Sequence, residues 1–232
     1  VAFDTPFALS GMDTGKCISM VHPDAERTMA TFLGAANSLT PEDVDPALIQ
    51  SAKVVYMEGY LFDPEEAKKA FVKAAEAAHA GGTGTKVSIS LSDPFCVGRH
   101  RDSFRHLVEH HIDILFANEE EILSLYETDD FDTAKERVRG HCEIACLTRG
   151  EKGSVIVNAD EEIEVAADIV ARVVDTTGAG DQYAAGFLYG YTQGYDLDTA
   201  GRIGSMMAAE IISHYGARPE ADVKALLKAK LG

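Results

Sequence analysis

The sequence is short of positive charge. Lysine and arginine number 21 against 38 aspartates and glutamates, a formal net charge of −17. Binding to nucleic acid or to an anionic membrane needs a basic face that displaces counterions, so neither is an expected partner; a small-molecule ligand is. Cysteine is sparse as well. Cys17, Cys96, Cys142 and Cys146 are scattered along the chain rather than arranged as the dense framework of a small secreted fold, and reduced thiols are expected. His141-Cys142 with Cys146 is the one metal-like cluster, but Cys146 sits inside an apolar run, 144–147, and no second ligand pair follows at finger-like spacing. Buried thiol packing is therefore the reading preferred over zinc. No apolar stretch approaches the roughly 18 residues of a membrane span, and the first residues lack a basic, then apolar, then small-residue leader pattern. A cytoplasmic location is expected.

What is present is an alternation of two periods. Strand-like runs rich in β-branched and apolar residues fall at 16–21, 28–33, 53–57, 86–91, 112–116, 143–148, 154–157 and 169–174, with helical patterns between most of them. The clearest helix is 64–80. Pro64 suits a first turn after Asp63 as cap, Ala67, Ala70, Phe71, Ala74, Ala77 and Ala78 form an apolar stripe, and Gly81-Gly82 ends it. A second helical run, 102–111, places His106 and His110 four apart; with Arg99, Arg101 and Arg105 around them a solvated basic face is expected. From residue 53 onward the alternation predicts parallel crossovers and an α/β fold over 1–232, a doubly wound, mostly parallel sheet flanked by helices. Ligands bind such sheets off the carboxyl ends of the strands, where Asn118, Thr148 and the loop around Gly178 should emerge. The first fifty residues break the pattern: 16–21 and 28–33 are joined through His22-Pro23-Asp24-Ala25, a hairpin turn, which predicts a small second sheet over 14–36.

The densest chemistry lies at Asp175-Thr176-Thr177-Gly178-Ala179-Gly180-Asp181, between the run at 169–174 and a helix-like segment at 182–191. Small residues at Gly178, Ala179 and Gly180 let backbone N–H groups point into a concavity, and the following helix adds its positive end, so a phosphoryl charge is stabilised there without a cationic side chain. Asp181, one residue on, is placed to take a hydroxyl proton. Other nucleotide motifs fail. A dinucleotide fingerprint needs a third glycine where Tyr183 stands, and Gly11-Met12-Asp13-Thr14-Gly15-Lys16 has three residues, not four, before its Gly-Lys and continues into Cys17.

With the following Gln182-Tyr183-Ala184-Ala185-Gly186-Phe187, this heptapeptide resembles the C-terminal signature of the PfkB carbohydrate kinases, the ribokinase-like family. The resemblance implies ATP and Mg²⁺, with Asp181 as base and Gly178, Ala179 and Gly180 as the anion hole. Asn118-Glu119-Glu120-Glu121 resembles the family's Asn-x-x-Glu motif, in which Asn118 and Glu121 organise Mg²⁺ largely through water; helix capping is their other reading. Thr148-Arg149-Gly150-Glu151-Lys152-Gly153 resembles its nucleotide loop, which brings Thr148, Arg149, Gly150 and Gly153 toward ATP, and reads equally as a hairpin turn. By the same resemblance Thr176 and Ser205 border the nucleotide, though core packing explains Ser205 as well, and Asp175 and Thr177 hold a monovalent cation, K⁺. The 14–36 hairpin resembles part of the family's β-lid.

The middle of the chain is closest in pattern to the adenosine kinases of that family, which would set Phe95 against a nucleoside base, whereas Glu58 matches the sugar-kinase pattern and would bind sugar hydroxyls. The family's opening strand and its Gly-Gly-x-x-x-Asn substrate motif are not found in the 232 residues. The expectation is a ribokinase-like domain lacking that N-terminal segment, associating with it or forming a homodimer through the β-lid. The expected activity is transfer of the γ-phosphate of ATP to a primary hydroxyl of a nucleoside or a sugar; the alternative is a non-catalytic relative that binds nucleotide or sugar.

Overall fold

Residues 11–232 are described by the structure, a computed structural model. A detached hairpin comes first. Strands β1 (Thr14–Val21) and β2 (Arg27–Gly34) pair antiparallel around a turn in which Ala25 N–H donates to the His22 carbonyl at 3.0 Å and His22 N–H to that of Glu26 at 2.7 Å. The register sets Cys17 opposite Thr31, Ser19 opposite Met29 and Val21 opposite Arg27 on one face, and Ile18 opposite Ala30 and Met20 opposite Thr28 on the other. This ribbon stands as its own two-stranded sheet.

The main body follows as α1 (Pro46–Ser51), β3 (Val54–Glu58), α2 (Glu65–Ala80), β4 (Lys86–Ser90), α3 (Pro94–Arg99), α4 (Arg101–His110), β5 (Ile114–Asn118), α5 (Glu119–Tyr126), α6 (Phe131–Val138), β6 (Ile144–Thr148), β7 (Ser154–Val157), β8 (Glu162–Val165), α7 (Ala179–Gln193), α8 (Leu197–Ile211) and α9 (Val223–Leu231). The sheet runs β3-β4-β5-β6-β7-β8. The first four strands are parallel, and β7 and β8 add an antiparallel edge. Both faces are covered, which is why β5 reads as an unbroken apolar run. Leu115 and Ala117 join the core beneath α2 to α6, while Ile114 and Phe116 join the one beneath α7 and α8. The mostly parallel, helix-flanked sheet with a small hairpin is the expected fold.

Two local expectations are corrected. The run at 169–174 is not a strand: Ile169 is 98% exposed, and among the described residues the segment finds no ladder, only a bond from Val174 N–H to the Ile212 carbonyl at 2.8 Å. The sheet instead ends on β8, whose Glu162-Ile163-Glu164-Val165 offers a single half-buried apolar face and is held by pairing with β7. Asp63 does not cap α2, because Pro64 takes that position. The Asp63 carboxylate is bound by Arg99 at 3.1 Å and His100 at 2.6 Å. The expected basic face on α4 is also largely neutralised, since Arg101 and Arg105 both pair with Glu127. Cys146 is fully buried, as thiol packing predicts.

Helices α7 and α8 approach closely at glycines. A Cβ on Gly186 would lie 2.8 Å from the Ile203 carbonyl oxygen and 2.9 Å from Gly204 Cα, both backbone atoms that cannot rotate away. Gly186→Ala gains about 1 kcal/mol of helix propensity but forces the helices apart, at about 1–3 kcal/mol for overpacking. Chemical denaturation is therefore expected to show net destabilisation; a stabilised variant would mean that the helices part freely.

Candidate active site

A cavity of about 650 Å³ opens between the ribbon and the carboxyl edge of the sheet. Its roof is the inward face of the hairpin: Cys17, Arg27, Met29 and Thr31, as the register requires, with Leu33 continuing the same face. Its floor is made of strand ends and the turns after them, including Ser90, Ser92, Asp93, Asn118 and Thr148. Its back wall is the loop from Thr177 to Asp181. The tip of the ribbon reaches that wall. Thr176 N–H and Oγ1 donate to the Ala25 carbonyl at 3.4 and 3.3 Å, and Arg27 Nη1 donates to Thr176 Oγ1 at 2.7 Å.

The wall is a cradle of backbone amides. Gly178 is the N-cap of α7 with φ +82°, a conformation that disfavours any side chain, and a Cβ there would meet Ala217 Cβ at 3.1 Å. Amides in a helix's first turn have no carbonyl four residues back, so Gly180 and Asp181 present theirs with the positive end of the helix dipole. Ala179 is different, since its N–H turns back to the Thr176 carbonyl at 3.2 Å. Asp175 anchors the base of the loop. Its Oδ1 accepts from Thr177 N–H and Oγ1 at 2.9 and 2.6 Å, and its Oδ2 from Gly216 N–H at 3.1 Å. Burial pushes this carboxyl up, but those hydrogen bonds outweigh it and leave it below the usual carboxylate range.

Asp181 lines the cavity just past the cradle. It is open to the cavity, yet the surrounding walls remove enough hydration to raise its carboxyl, and the Arg27 guanidinium only partly reverses this. A carboxylate whose affinity for a proton is raised is a better base. Arg27 supplies the complementary feature: its Nε is buried and has no hydrogen-bond partner among the described residues, although Nη1 is engaged. A guanidinium N–H left dry beside a cradle of amides suits an anion such as a phosphate oxygen.

Asn118 and Glu121 begin α5 as a reciprocal cap. Asn118 Oδ1 accepts from Glu121 N–H at 2.8 Å, while the Glu121 carboxylate accepts from Asn118 N–H and Nδ2, both at 2.9 Å. Both residues also line the cavity. Burial, with repulsion from Asp93, Glu58 and Glu120, pushes the Glu121 carboxyl up to about 7 despite the bond from Asn118. Each Glu121 oxygen already holds one donor, so this pair suits Mg²⁺ held through water. Tyr60, which the sequence reading passed over, hangs into the same space. Its hydroxyl is pushed up to about 12 by burial and by the charges of Glu121, Asp181 and Asp93.

Of the residues singled out from sequence, the structure gathers Asn118, Glu121, Thr148, Thr177, Gly178, Ala179, Gly180 and Asp181 around one cavity. Others it places elsewhere. Phe95 is 78% exposed and is not part of the cavity lining. Glu58 lies behind the floor, accepting from Ser92 Oγ at 2.7 Å; burial raises its carboxyl and Asp181 adds to the shift. Arg149 stacks 3.8 Å over Phe131 and pairs with Glu119 at 2.9 Å. Gly150 and Gly153 form the tight connection into β7, closed by a bond from Gly153 N–H to the Gly150 carbonyl at 3.0 Å. Ser205 is buried on α8, where its hydroxyl donates to the Ala166 carbonyl and accepts from Asp168 N–H, both at 3.0 Å. Thr176 faces the ribbon. Arg27, Met29 and Tyr60 were missed; for Arg27 and Met29 the two-residue alternation of the hairpin was the available signal.

An amide cradle at a helix start, with a carboxylate beside it and a ribbon roofing the cavity, sits at the carboxyl edge of a helix-covered, mostly parallel sheet. Comparison with known proteins makes this specific. The model of the pfkB family carbohydrate kinases matches residues 9–224, and the chain belongs to that family. An uncharacterized sugar kinase of Archaeoglobus fulgidus is 43% identical over 106 residues, 45% of this chain and 42% of that protein. Among solved structures, an adenosine kinase from Sinorhizobium meliloti superposes with a TM-score of 0.91 at 44% identity, over 95% of this chain and 68% of that one. A probable sugar kinase from Rhizobium etli gives 0.89 at 45% identity, over 94% and 66%. The chain thus spans less than half the length of the Archaeoglobus relative and about two thirds of the two solved ones.

The raised Glu121 carboxyl makes a signed prediction. In the folded protein it holds a proton up to about 7, whereas unfolded it releases it near 4.5. The stability this contributes is full below the unfolded value and is lost as pH rises through the folded one, on the order of 3 kcal/mol in all. Glu121→Gln, which does not titrate, is expected to lose less stability than wild type in urea titrations between about pH 5 and 8. Equal pH slopes for the two proteins would show that Glu121 is not the titrating group.

Proposed function

We propose that the full-length protein is an ATP-dependent kinase that phosphorylates a primary hydroxyl of a nucleoside. The observation that carries the reading is Asp181 set beside the amide cradle, with the Arg27 guanidinium lining the same cavity. Asp181 accepts the acceptor's hydroxyl proton, and the first-turn amides with Arg27 stabilise negative charge on the phosphoryl group. Asn118 and Glu121 would hold Mg²⁺ through water, and the ion would supply positive charge against the phosphates. Thr148, at the end of β6, lines the same cavity and would contact the nucleotide there. K⁺ beside Asp175 and Thr177 belongs to the proposal through the family resemblance, supported by a buried carboxylate that keeps its charge. A nucleoside is favoured over a free sugar because the roof presents Met29 and Leu33, with Tyr60 and Phe116 also lining the space, and apolar and aromatic surfaces suit a flat base. Phe95 plays no part in that wall.

The outer face of the ribbon supports one further element of this reading. Ile18, Met20 and Phe32 are exposed there, an apolar surface of the kind that another protein segment covers, either the family's N-terminal segment or a second copy meeting lid to lid.

Phosphate transfer from ATP, measured with the full-length protein against a panel of nucleosides and sugars, tests the substrate class, and a protein active only on sugars overturns the nucleoside reading. Asp181→Asn is expected to keep the fold and ATP affinity while lowering kcat by at least about a hundredfold. Activity within about tenfold of wild type would remove Asp181 from the role of base. Glu121→Gln is expected to raise the Mg²⁺ concentration needed for half-maximal rate with little change in acceptor KM; an unchanged Mg²⁺ dependence leaves Glu121 as a cap alone.

A further inference from the structure

The cradle is braced from behind by the connection between α8 and α9. Gly216 N–H donates to Asp175 Oδ2 at 3.1 Å, Ala217 packs on Gly178, and the Ile212 carbonyl holds Val174 N–H at 2.8 Å. This connection is irregular, so its own hydrogen bonds cannot hold it in place. One side chain gathers both of its ends. Glu210, in the last turn of α8 with its side chain 7% exposed, accepts through Oε1 from the N–H groups of Glu220 and Ala221, both at 2.9 Å. The same oxygen lies 3.2 Å from His214 Nε2, while His214 Nδ1 lies 3.2 Å from the Tyr215 carbonyl. Both imidazole nitrogens thus face acceptors, and Glu220 Oε1 stands a further 4.0 Å from Nδ1.

We propose that Glu210 is a positioning residue for the phosphate cradle, acting through the connection it closes and touching no substrate itself. The inference rests on the kinase reading above for its effect on turnover, but not for its structural content. Glu210 Oε2 is buried and has no hydrogen-bond partner among the described residues. A carboxylate oxygen kept dry and unpaired is costly, and that cost is offset by the three donors collected on Oε1. Losing them frees residues 213–221, and with them the amide that fixes Asp175 and the methyl group that backs Gly178.

The test is Glu210→Ala beside Glu210→Gln in the full-length protein, read by amide hydrogen exchange at 176–180 and by steady-state kinetics. Alanine is expected to speed exchange at 176–180 and to lower kcat/KM for ATP by about tenfold or more, the scale of a small displacement in a positioned site, with the acceptor KM nearly unchanged. Glutamine keeps an acceptor for the two backbone N–H groups and is expected to restore most of both. His214→Ala, which leaves those two bonds in place, is expected to shift the same exchange in the same direction by less, and serves if the alanine variant of Glu210 fails to fold. A folded variant that melts earlier yet keeps wild-type exchange at 176–180 and wild-type ATP kinetics overturns the proposal and leaves Glu210 a stability residue. If no acceptor is phosphorylated by the wild-type protein, the kinase reading fails, and the exchange measurement alone still decides the bracing.

Discussion

The geometry of the site depends on one buried carboxylate. Asp175 is 3% exposed, and a charge so placed is tolerated only when its oxygens are occupied by donors. The donors come from two parts of the chain, Thr177 in the cradle and Gly216 in the connection after α8. A strand would have delivered the cradle to the sheet edge by ladder hydrogen bonds. Residues 169–174 form none among the described residues, so the loop is located by Asp175, by the bonds of Val174 to Ile212 and of Thr176 to the ribbon, and by the contact of Gly178 with Ala217. That tie lies three residues before the N-cap Gly178, so it helps to set where α7 begins.

Around this tie the cavity is electrostatically unbalanced. Asp93, Glu121 and Asp181 line it, with Glu58 just behind Ser92. Burial raises Glu58, Glu121 and Asp181, and mutual repulsion adds to the shift of the first two. Arg27 is the cation on the roof that acts on Asp181. Such a site favours ligands that bring both signs, a divalent cation near Glu121 and anionic oxygens near Arg27 and the cradle, since each removes a repulsion or an unsatisfied donor already present. The same physics that costs stability in the unliganded protein thus selects the ligand chemistry.

The ribbon couples the two ends of the site. Its period of two separates a polar and apolar inner face from an apolar outer one, and its tip is bonded to Thr176 through the Ala25 carbonyl and Arg27. The roof therefore rests directly on the segment that begins the cradle. A shift of either reaches the other through hydrogen bonds of known length rather than through the main sheet, with which the ribbon shares no ladder.

Features set by short-range chemistry were legible without the structure. The parallel strands declared themselves as apolar runs, the stripe of α2 as a helical period, the hairpin by its turn residues, and the cradle by small residues at a helix start. The gathering of Asn118, Thr148 and Asp181 followed because each ends or begins an element at the same sheet edge. Pairing partners were not legible: β8 is a strand because β7 lies beside it, and 169–174, more β-like in composition, is not one because no strand among the described residues does. Nor was the direction of a side chain. Arg149 belongs to Phe131 and Glu119, Ser205 to the 166–168 segment, and Phe95 to the surface, while Arg27 and Tyr60 turn inward. By itself the sequence determined which chemistry this protein carries, since residue type and spacing are local. Which of those residues share a cavity was decided only by the tertiary structure, because a side chain's neighbours come from segments dozens of residues away, brought together by packing that no local pattern encodes.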